Sequence, residues 1–276
     1  MHERSRDQVA KLADQDDGLD YALEMCRWLL KPLGIWSLIY SHANRKEKAL
    51  SILLLIAGFS SMVYIMVPLV CRLVLDDITG KIKMQLLGTA TNCSLSVIKY
   101  LCLVLRRKTF ARCMRHMEND WRIVKDRHHR AIMLKQATFS RSLVMLCIVF
   151  IYSSCISFHV MMPWSRRRVV GNVTLKPLVY PSYDRFFDVQ ASPVYELIYL
   201  AQCFAGFVRH TVTTATFSLV VVFVTHVCGQ MQIQISRLEE FNCGIGKDTG
   251  YDPLGDIIRG HAEILRSSDR YLDSER

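Results

Sequence analysis

The sequence predicts an all-α, polytopic membrane protein, and three observations carry the prediction. Four windows, about 49–75, 84–105, 142–162 and 197–224, each run to ~20 or more mostly apolar residues, longer than the ~10 to 14 of an ordinary core helix. Hydrophobic residues make up 51% of the 276 and the mean hydropathy is +0.17, values that soluble domains of this size seldom combine with such separation of apolar from charged runs. The third observation is where the charge goes: within the four windows only Arg72, Lys99 and Arg209 are charged, and every other Lys, Arg, Asp and Glu lies between or outside them.

Residues 1–47 read as a polar tail and a surface helix. The first ~20 are charged and irregular, and no short apolar region with a small-residue cleavage site follows, so the first span is expected to act as an uncleaved anchor. From Tyr21 the pattern turns amphipathic, with Leu23, Met25, Trp28 and Leu29 at near-helical spacing, Lys31-Pro32 as a stop, and Trp28 and Trp36 suited to a membrane interface.

Residues 48–228 read as the transmembrane domain. Gly58 and Pro68 in span one are tolerated in a membrane helix or kink it. Span two is the most polar of the four: Thr89, Asn92, Ser96 and Lys99 recur at i, i+3, i+7 and i+10, on one helical face. Such a stripe faces protein or a wet cavity, unless Lys99 merely snorkels to the nearby membrane edge. Asn92-Cys93-Ser94 is a glycosylation sequon only by accident, since it lies inside a span. The basic loop 106–136 is expected to be helical, with His128-His129 on a solvated charged face, because adjacent residues do not share a helix face. Span three carries Tyr152, Ser153, Ser154, Ser157 and His159 in its outer half, as interhelical glue or as a pocket wall.

An outer loop, 163–193, has a length that usually means function or disorder, and its aromatic and proline residues suggest an ordered lid. Asn172-Val173-Thr174 is a glycosylation candidate there. From Pro193 to Phe241 there is no further proline, so one continuous helix is expected. At ~1.5 Å per residue it would be about 70 Å long, roughly twice a bilayer's hydrocarbon thickness, and must continue into water. Residues 229–276 form a cytoplasmic helical segment that stops partway through an amphipathic helix. Its Gly244-Ile245-Gly246-Lys247 lacks the first glycine and the Ser or Thr of a phosphate-binding loop and reads as a turn.

Charge sets the expected topology. Arg45, Lys46 and Lys48 precede span one, and nine Lys and Arg residues follow span two, which places both segments and the N-terminus in the cytoplasm; Arg166, Arg167 and Arg168 are the exception on the other side. These charges flank the membrane without a folded basic domain behind them, so they read as a topology signal attracted to anionic lipid and not as a nucleic-acid surface. The ten cysteines lie mostly in or beside spans and show no CxxC or Cys/His ligand spacing, so no metal or cofactor is expected. His159, His210 and His226 are scattered and the spans hold almost no acid, so no catalytic set is expected and the protein is not read as an enzyme.

Four motifs in order resemble the insect odorant (olfactory) receptor family. Tyr180-Pro181, Asp184, Pro193, Tyr195, Tyr199 and Gln202 resemble its outer loop and fourth span. His226-Val227-Cys228-Gly229-Gln230 with Leu238 resembles the inner end of that helix. IIRGHAEILR resembles its cytoplasmic helix before the fifth span, and WLLKPLGIW its N-terminal leader. The resemblance implies seven membrane helices with a cytoplasmic N-terminus. It implies a ligand-gated cation channel, tetrameric with a shared co-receptor subunit, in the plasma membrane of sensory neurons. Its ligand would be a volatile odorant bound towards the outer leaflet. Only four of those seven helices are present, so the chain is expected to be a truncated form lacking the pore helix. The alternatives are a gustatory-type receptor and a non-conducting membrane interaction protein.

On the odorant reading, ligand-binding candidates are Thr89, Asn92 and Ser96 on span two, Met145, Ile148 and Tyr152 on span three, and Tyr195, Tyr199 and Gln202, spaced i, i+4, i+7, on span four. Lys99, Arg209 and His210 are the intramembrane charges, each to be met by a partner, by water or by a structural ion pair.

Overall fold

The computed structural model describes residues 18–39, 44–76, 79–165, 168–170, 173–180, 189–242 and 262. Asn172, the aromatic stretch 181–188 and the segment after Asn242, apart from Ala262, lie outside the described residues. Eight helices follow in order: α1 Gly18–Leu30, α2 Trp36–Ile39, α3 Arg45–Leu75, α4 Gly80–Leu105, α5 Arg107–Ile123, α6 Arg127–Ile156, α7 Met162–Ser165 and α8 Val194–Asn242. A π-helical turn, Ser157–Met161, joins α6 to α7, and a two-stranded antiparallel ribbon, β1 Arg168–Val170 with β2 Val173–Leu175, lies in the loop before α8. The fold is thus all-helical but for that ribbon. Four helices, Arg45–Leu75, Gly80–Leu105, Arg127–Ser165 and Val194–Glu240, are long and apolar enough to cross a membrane.

Each of these helices reaches beyond its apolar window, for local reasons. α3 starts at Arg45 because Asn44 and Glu47 form a reciprocal capping box, with the Asn44 N–H donating to Glu47 Oε2 at 3.2 Å. α3 then runs through Pro68 without a break. α6 starts at Arg127, well before the apolar window opens, capped by Asp126, whose carboxylate accepts from the His129 N–H at 3.3 Å. α8 is a single helix of 49 residues, about 73 Å at the standard rise.

α1 stops by backbone geometry. Gly34, at φ +71°, lets its own N–H reach Lys31 O at 3.0 Å and the Ile35 N–H reach Leu30 O at 3.2 Å, a Schellman closure. Its buried face is Ala22, Leu23, Cys26, Leu29 and Leu30, while Trp28 is 74% exposed. Trp28 thus stands outside that packed face.

Contacts divide the chain into two compact units, one of residues 1–25, 108–144 and 218–276, the other of residues 26–107 and 145–217. In the first, α5 is strongly amphipathic and buries Cys113, Met114, Met117 and Trp121, and Met133, Leu134 and Ala137 of α6 and Val222 and Ile233 of α8 are buried in the same unit. Arg141 ties α1 to α6, donating to Tyr21 O at 2.6 Å and Glu24 Oε2 at 2.7 Å with its guanidinium over the Tyr21 ring. His226 Nε2 meets Asp120 Oδ2 at 3.0 Å, joining α8 to α5. His129 is buried, with Nδ1 at 3.2 Å from Asp126, whereas His128 is exposed, so only one of the pair occupies the solvated face expected for both.

In the second unit α3 packs on α4. Leu69 meets Leu86 and Ala90, and Tyr100, fully buried, stacks on Phe59 at 4.4 Å and donates to Leu33 O at 2.9 Å. Gly58 makes room for it, since a Cβ there would come within 2.8 Å of the Tyr100 hydroxyl. Large apolar side chains such as Leu53, Ile56, Val149, Phe150 and Phe204 stay more than half exposed, as lipid-facing residues should. Many serine and threonine hydroxyls of the spans turn back on their own helices, as Thr214 does onto His210 O at 2.8 Å and Thr216 onto Val212 O at 2.8 Å, which satisfies them without water.

Candidate functional site

The polar groups of the second unit converge on the first half of α8. Tyr195, Tyr199, Gln202, Gly206 and Arg209 fall at i, i+4, i+7, i+11 and i+14, one stripe of a helix. The stripe first does a structural job. Lys176 to Tyr180 lie across it as a strap whose backbone is held by side chains. Gln190 accepts from the Lys176 N–H at 3.0 Å and donates to Lys176 O at 3.1 Å, and the Tyr195 hydroxyl donates to Pro177 O at 3.2 Å. Gln202 accepts from the Tyr180 N–H and donates to Tyr180 O, both at 3.0 Å. Lys176 adds an ion pair with Glu196 at 3.3 Å.

Tyr180 is the end of the strap and is 1% exposed. Its hydroxyl lies 3.3 Å from His159 Nε2. His159 Nδ1 lies 2.9 Å from Cys155 O, and a carbonyl only accepts, so in the neutral ring Nδ1 carries the proton and Nε2 accepts from Tyr180. The π-helical turn leaves His159 O to accept the Tyr199 hydroxyl at 2.7 Å. His210 repeats the arrangement, with Nδ1 at 2.7 Å from Gly206 O, and its ring stands edge-on to His159 at 5.7 Å. Gly206 is obligatory here: a Cβ at that position would overlap the His159 ring. Arg209, 8% exposed, reaches Cys93 Sγ at 3.8 Å and lies 5.7 Å above the Tyr180 ring. The surrounding wall is apolar, from Ile65, Val179 and Ala205 with Met66 and Phe158.

A second polar pair joins α6 to α8. Thr211 Oγ1 donates to Phe207 O at 2.9 Å and therefore accepts from the Tyr152 hydroxyl at 2.8 Å, and the Tyr152 ring tilts against Phe207 at 5.6 Å.

The residues expected to bind ligand are distributed unevenly over this geometry. Tyr195, Tyr199 and Gln202 stand together, and Tyr195 and Tyr199 stack at 6.0 Å, but their hydroxyls and amide are engaged by the strap and by His159. Tyr152 is half-buried on Thr211. Ile148 is half-buried and Met145 exposed. On α4, Ser96 is buried and bonded to Asn92 O at 3.0 Å, Thr89 is half-buried and Asn92 is exposed. The packed line of that helix runs through Leu86, Ala90, Cys93, Tyr100 and Leu103, beside the polar stripe. Lys99 lies over the Phe217 ring at 5.3 Å. Arg209 has no acidic partner among the described residues. His159, Tyr180, Cys93, Gly206 and Thr211 complete the constellation. Gly206 shares the phase of Tyr199, Gln202 and Arg209, and that spacing is the signal that could have found it.

A cavity of about 20 Å³ lies in the other unit, among Trp121, Gln136, Ser140, Thr225 and His226. It holds about one water molecule and is far below the ~300 Å³ of a small-molecule pocket. Among the described residues no three His, Cys, Asp or Glu side chains are grouped to hold a metal ion.

Comparison with known proteins places this geometry. The sequence has no match among curated proteins. The fold matches a solved structure of the insect olfactory receptor OR5 from Machilis hrabei in complex with eugenol, with a TM-score of 0.68 at 11% identity over 90% of this chain. The chain spans 65% of the length of that receptor. A family model described as 7tm Odorant receptor matches residues 83–273, which include all but the first three residues of α4, the strap and all of α8. That family is one of receptors and not of enzymes, and the chain belongs to it.

Proposed function

We propose that this protein is an odorant receptor subunit whose second unit binds a small volatile molecule and whose occupancy gates a cation channel formed with a co-receptor subunit. The observation that carries the reading is a dense set of hydrogen-bonding and charged groups, Tyr152, His159, Tyr199, Arg209 and His210 within helices otherwise apolar enough to cross a membrane and Tyr180 of the strap against them. Polar and ionisable groups at that depth are costly and mark functional sites. Apolar burial at ~25 cal/mol per Å² would supply most of the ligand's affinity, and one or two of these groups would supply selectivity.

Tyr152, Ile148 and Met145 on α6 with Tyr199 on α8 are the proposed ligand wall, and Thr89, Asn92 and Ser96 its α4 side. Gln202 and Tyr195 act through the strap. The N-terminus lies in the cytoplasm and Asn172 on the outer side, in keeping with the Lys and Arg excess beside spans one and two. The site of action is the plasma membrane of sensory neurons.

The test is expression of the chain in cells with and without an odorant co-receptor subunit, with surface labelling as a control and current recorded under an odorant panel. Odorant-evoked cation current that requires this chain supports the proposal. Surface expression without any such current, alone or with the co-receptor, refutes it.

A further inference from the structure

Arg209 meets no oxygen among the described residues. It lies 15 positions into α8, about 22 Å along the helix, and is 8% exposed. Its guanidinium meets only the Cys93 sulfur at 3.8 Å and the Tyr180 ring at 5.7 Å. A guanidinium presents five N–H donors in a planar fork that matches the two oxygens of a carboxylate. A thiol and a ring face leave most of that capacity unused. Among the described residues its neighbours supply no counter-charge either. His159 and His210 each commit Nδ1–H to a carbonyl of their own helix, and the Tyr180 hydroxyl turns to His159. The cluster is cationic and short of acceptor oxygens, which is the complement of an anion.

We infer that Arg209 anchors the carboxylate of a small organic acid, so that this receptor's ligand class is short-chain carboxylic acids in preference to their esters or to hydrocarbons. The inference rests on the odorant-binding reading of the same unit and sharpens it. The guanidinium takes the carboxylate in a two-pronged hydrogen bond, and the alkyl tail takes the apolar wall around Ile65, Phe158 and Ala205.

The test uses the purified 276-residue chain in lipid nanodiscs. Its melting temperature is followed against butanoic, hexanoic and octanoic acids and, in parallel, their methyl esters. The expected result is that at least one acid stabilises the chain at a concentration about tenfold below its ester, a difference set by the charge-assisted pairing. Arg209→Met abolishes that preference, and Arg209→Lys, which keeps the charge without the fork, retains part of it. If Arg209→Met does not fold, the acid-to-ester ratio in the wild type against that in Arg209→Lys decides. Equal potency of acid and ester overturns the carboxylate anchor while leaving odorant binding intact. An acid preference that survives undiminished in both variants overturns it as well. Failure of acids and esters alike overturns it and counts against the odorant site itself.

Discussion

Gln202 holds Tyr180 by both ends of its amide, with the Tyr180 N–H on Oε1 and Nε2 on the Tyr180 carbonyl, each at 3.0 Å. A buried amide so placed substitutes for a strand neighbour, and without it both backbone groups lose their partners in a dry site. Gln202→Leu should destabilise the chain by about 2–4 kcal/mol, the cost of two orphaned buried groups. Thermal unfolding in nanodiscs checks this, and a loss under about 0.5 kcal/mol would show that the strap does not depend on Gln202.

Gly206 and His159 make a tighter prediction because the conflict between them is steric. Gly206→Ala places a methyl group on the imidazole and should cost about 1–3 kcal/mol, as overpacking does. In a His159→Ala background the same substitution should cost little. A double-mutant cycle measures the difference, and additivity of the two changes would mean the ring does not fill that space.

Arg141 should matter for the attachment of α1. Its two short hydrogen bonds to Tyr21 O and Glu24 involve a charged donor, though the 51% exposure of the Glu24 side chain weakens the ionic share. Arg141→Ala is expected to cost about 1–2 kcal/mol and to speed amide exchange in residues 18–25 selectively. Arg141→Lys should restore less than half, since it lacks the fork. Unchanged exchange in residues 18–25 would contradict the anchoring role.

Asp126 gives a pH prediction outside the membrane. Desolvation raises its carboxyl, but the backbone N–H groups of His129 and His128 and the two imidazoles more than offset that and hold it below the ordinary value of 3.8. A carboxyl whose folded pKa is depressed contributes stability that is present above the unfolded pKa and lost as the pH falls through the folded one. The cap on α6 should therefore weaken only below about pH 4, and Asp126→Ala should cost about 1 kcal/mol at neutral pH. Asp126→Asn keeps the cap and should remove its acid dependence. Amide exchange at the start of α6 between pH 3 and pH 6 reads both effects.

Much of the fold was legible because membrane solvent imposes one rule on every residue of a span. Four long apolar windows and a proline-free run after Pro193 sufficed for four crossing helices and a 49-residue α8. Helix starts lie outside the apolar windows, where polar residues decide them. The Asn44 to Glu47 capping box is visible in the sequence as N-x-x-E, and it moves α3 to Arg45. Helix-face reasoning misassigned His129, which the structure buries, because it defines a face but not which neighbour covers it. Within the candidate site, the stripe Tyr195, Tyr199, Gln202 was found by its spacing, yet its polar ends turned out to hold the strap. That required knowing where Lys176 to Tyr180 cross α8, a long-range fact. The π-helical turn that frees His159 O for Tyr199 has no local sequence signature we can name.

The most direct test of the central claim, that a small molecule binds between α6 and the first half of α8 in the second unit, is photolabelling. The chain in nanodiscs would be irradiated with a diazirine-bearing aliphatic probe, and the labelled residues mapped by mass spectrometry with and without excess unlabelled competitor. The account predicts competitor-sensitive labels among residues 145–159 and 195–211, lost or moved in Tyr152→Ala. Competitor-sensitive labelling confined to residues 108–144 or 218–240, or labelling that no competitor displaces, would contradict it.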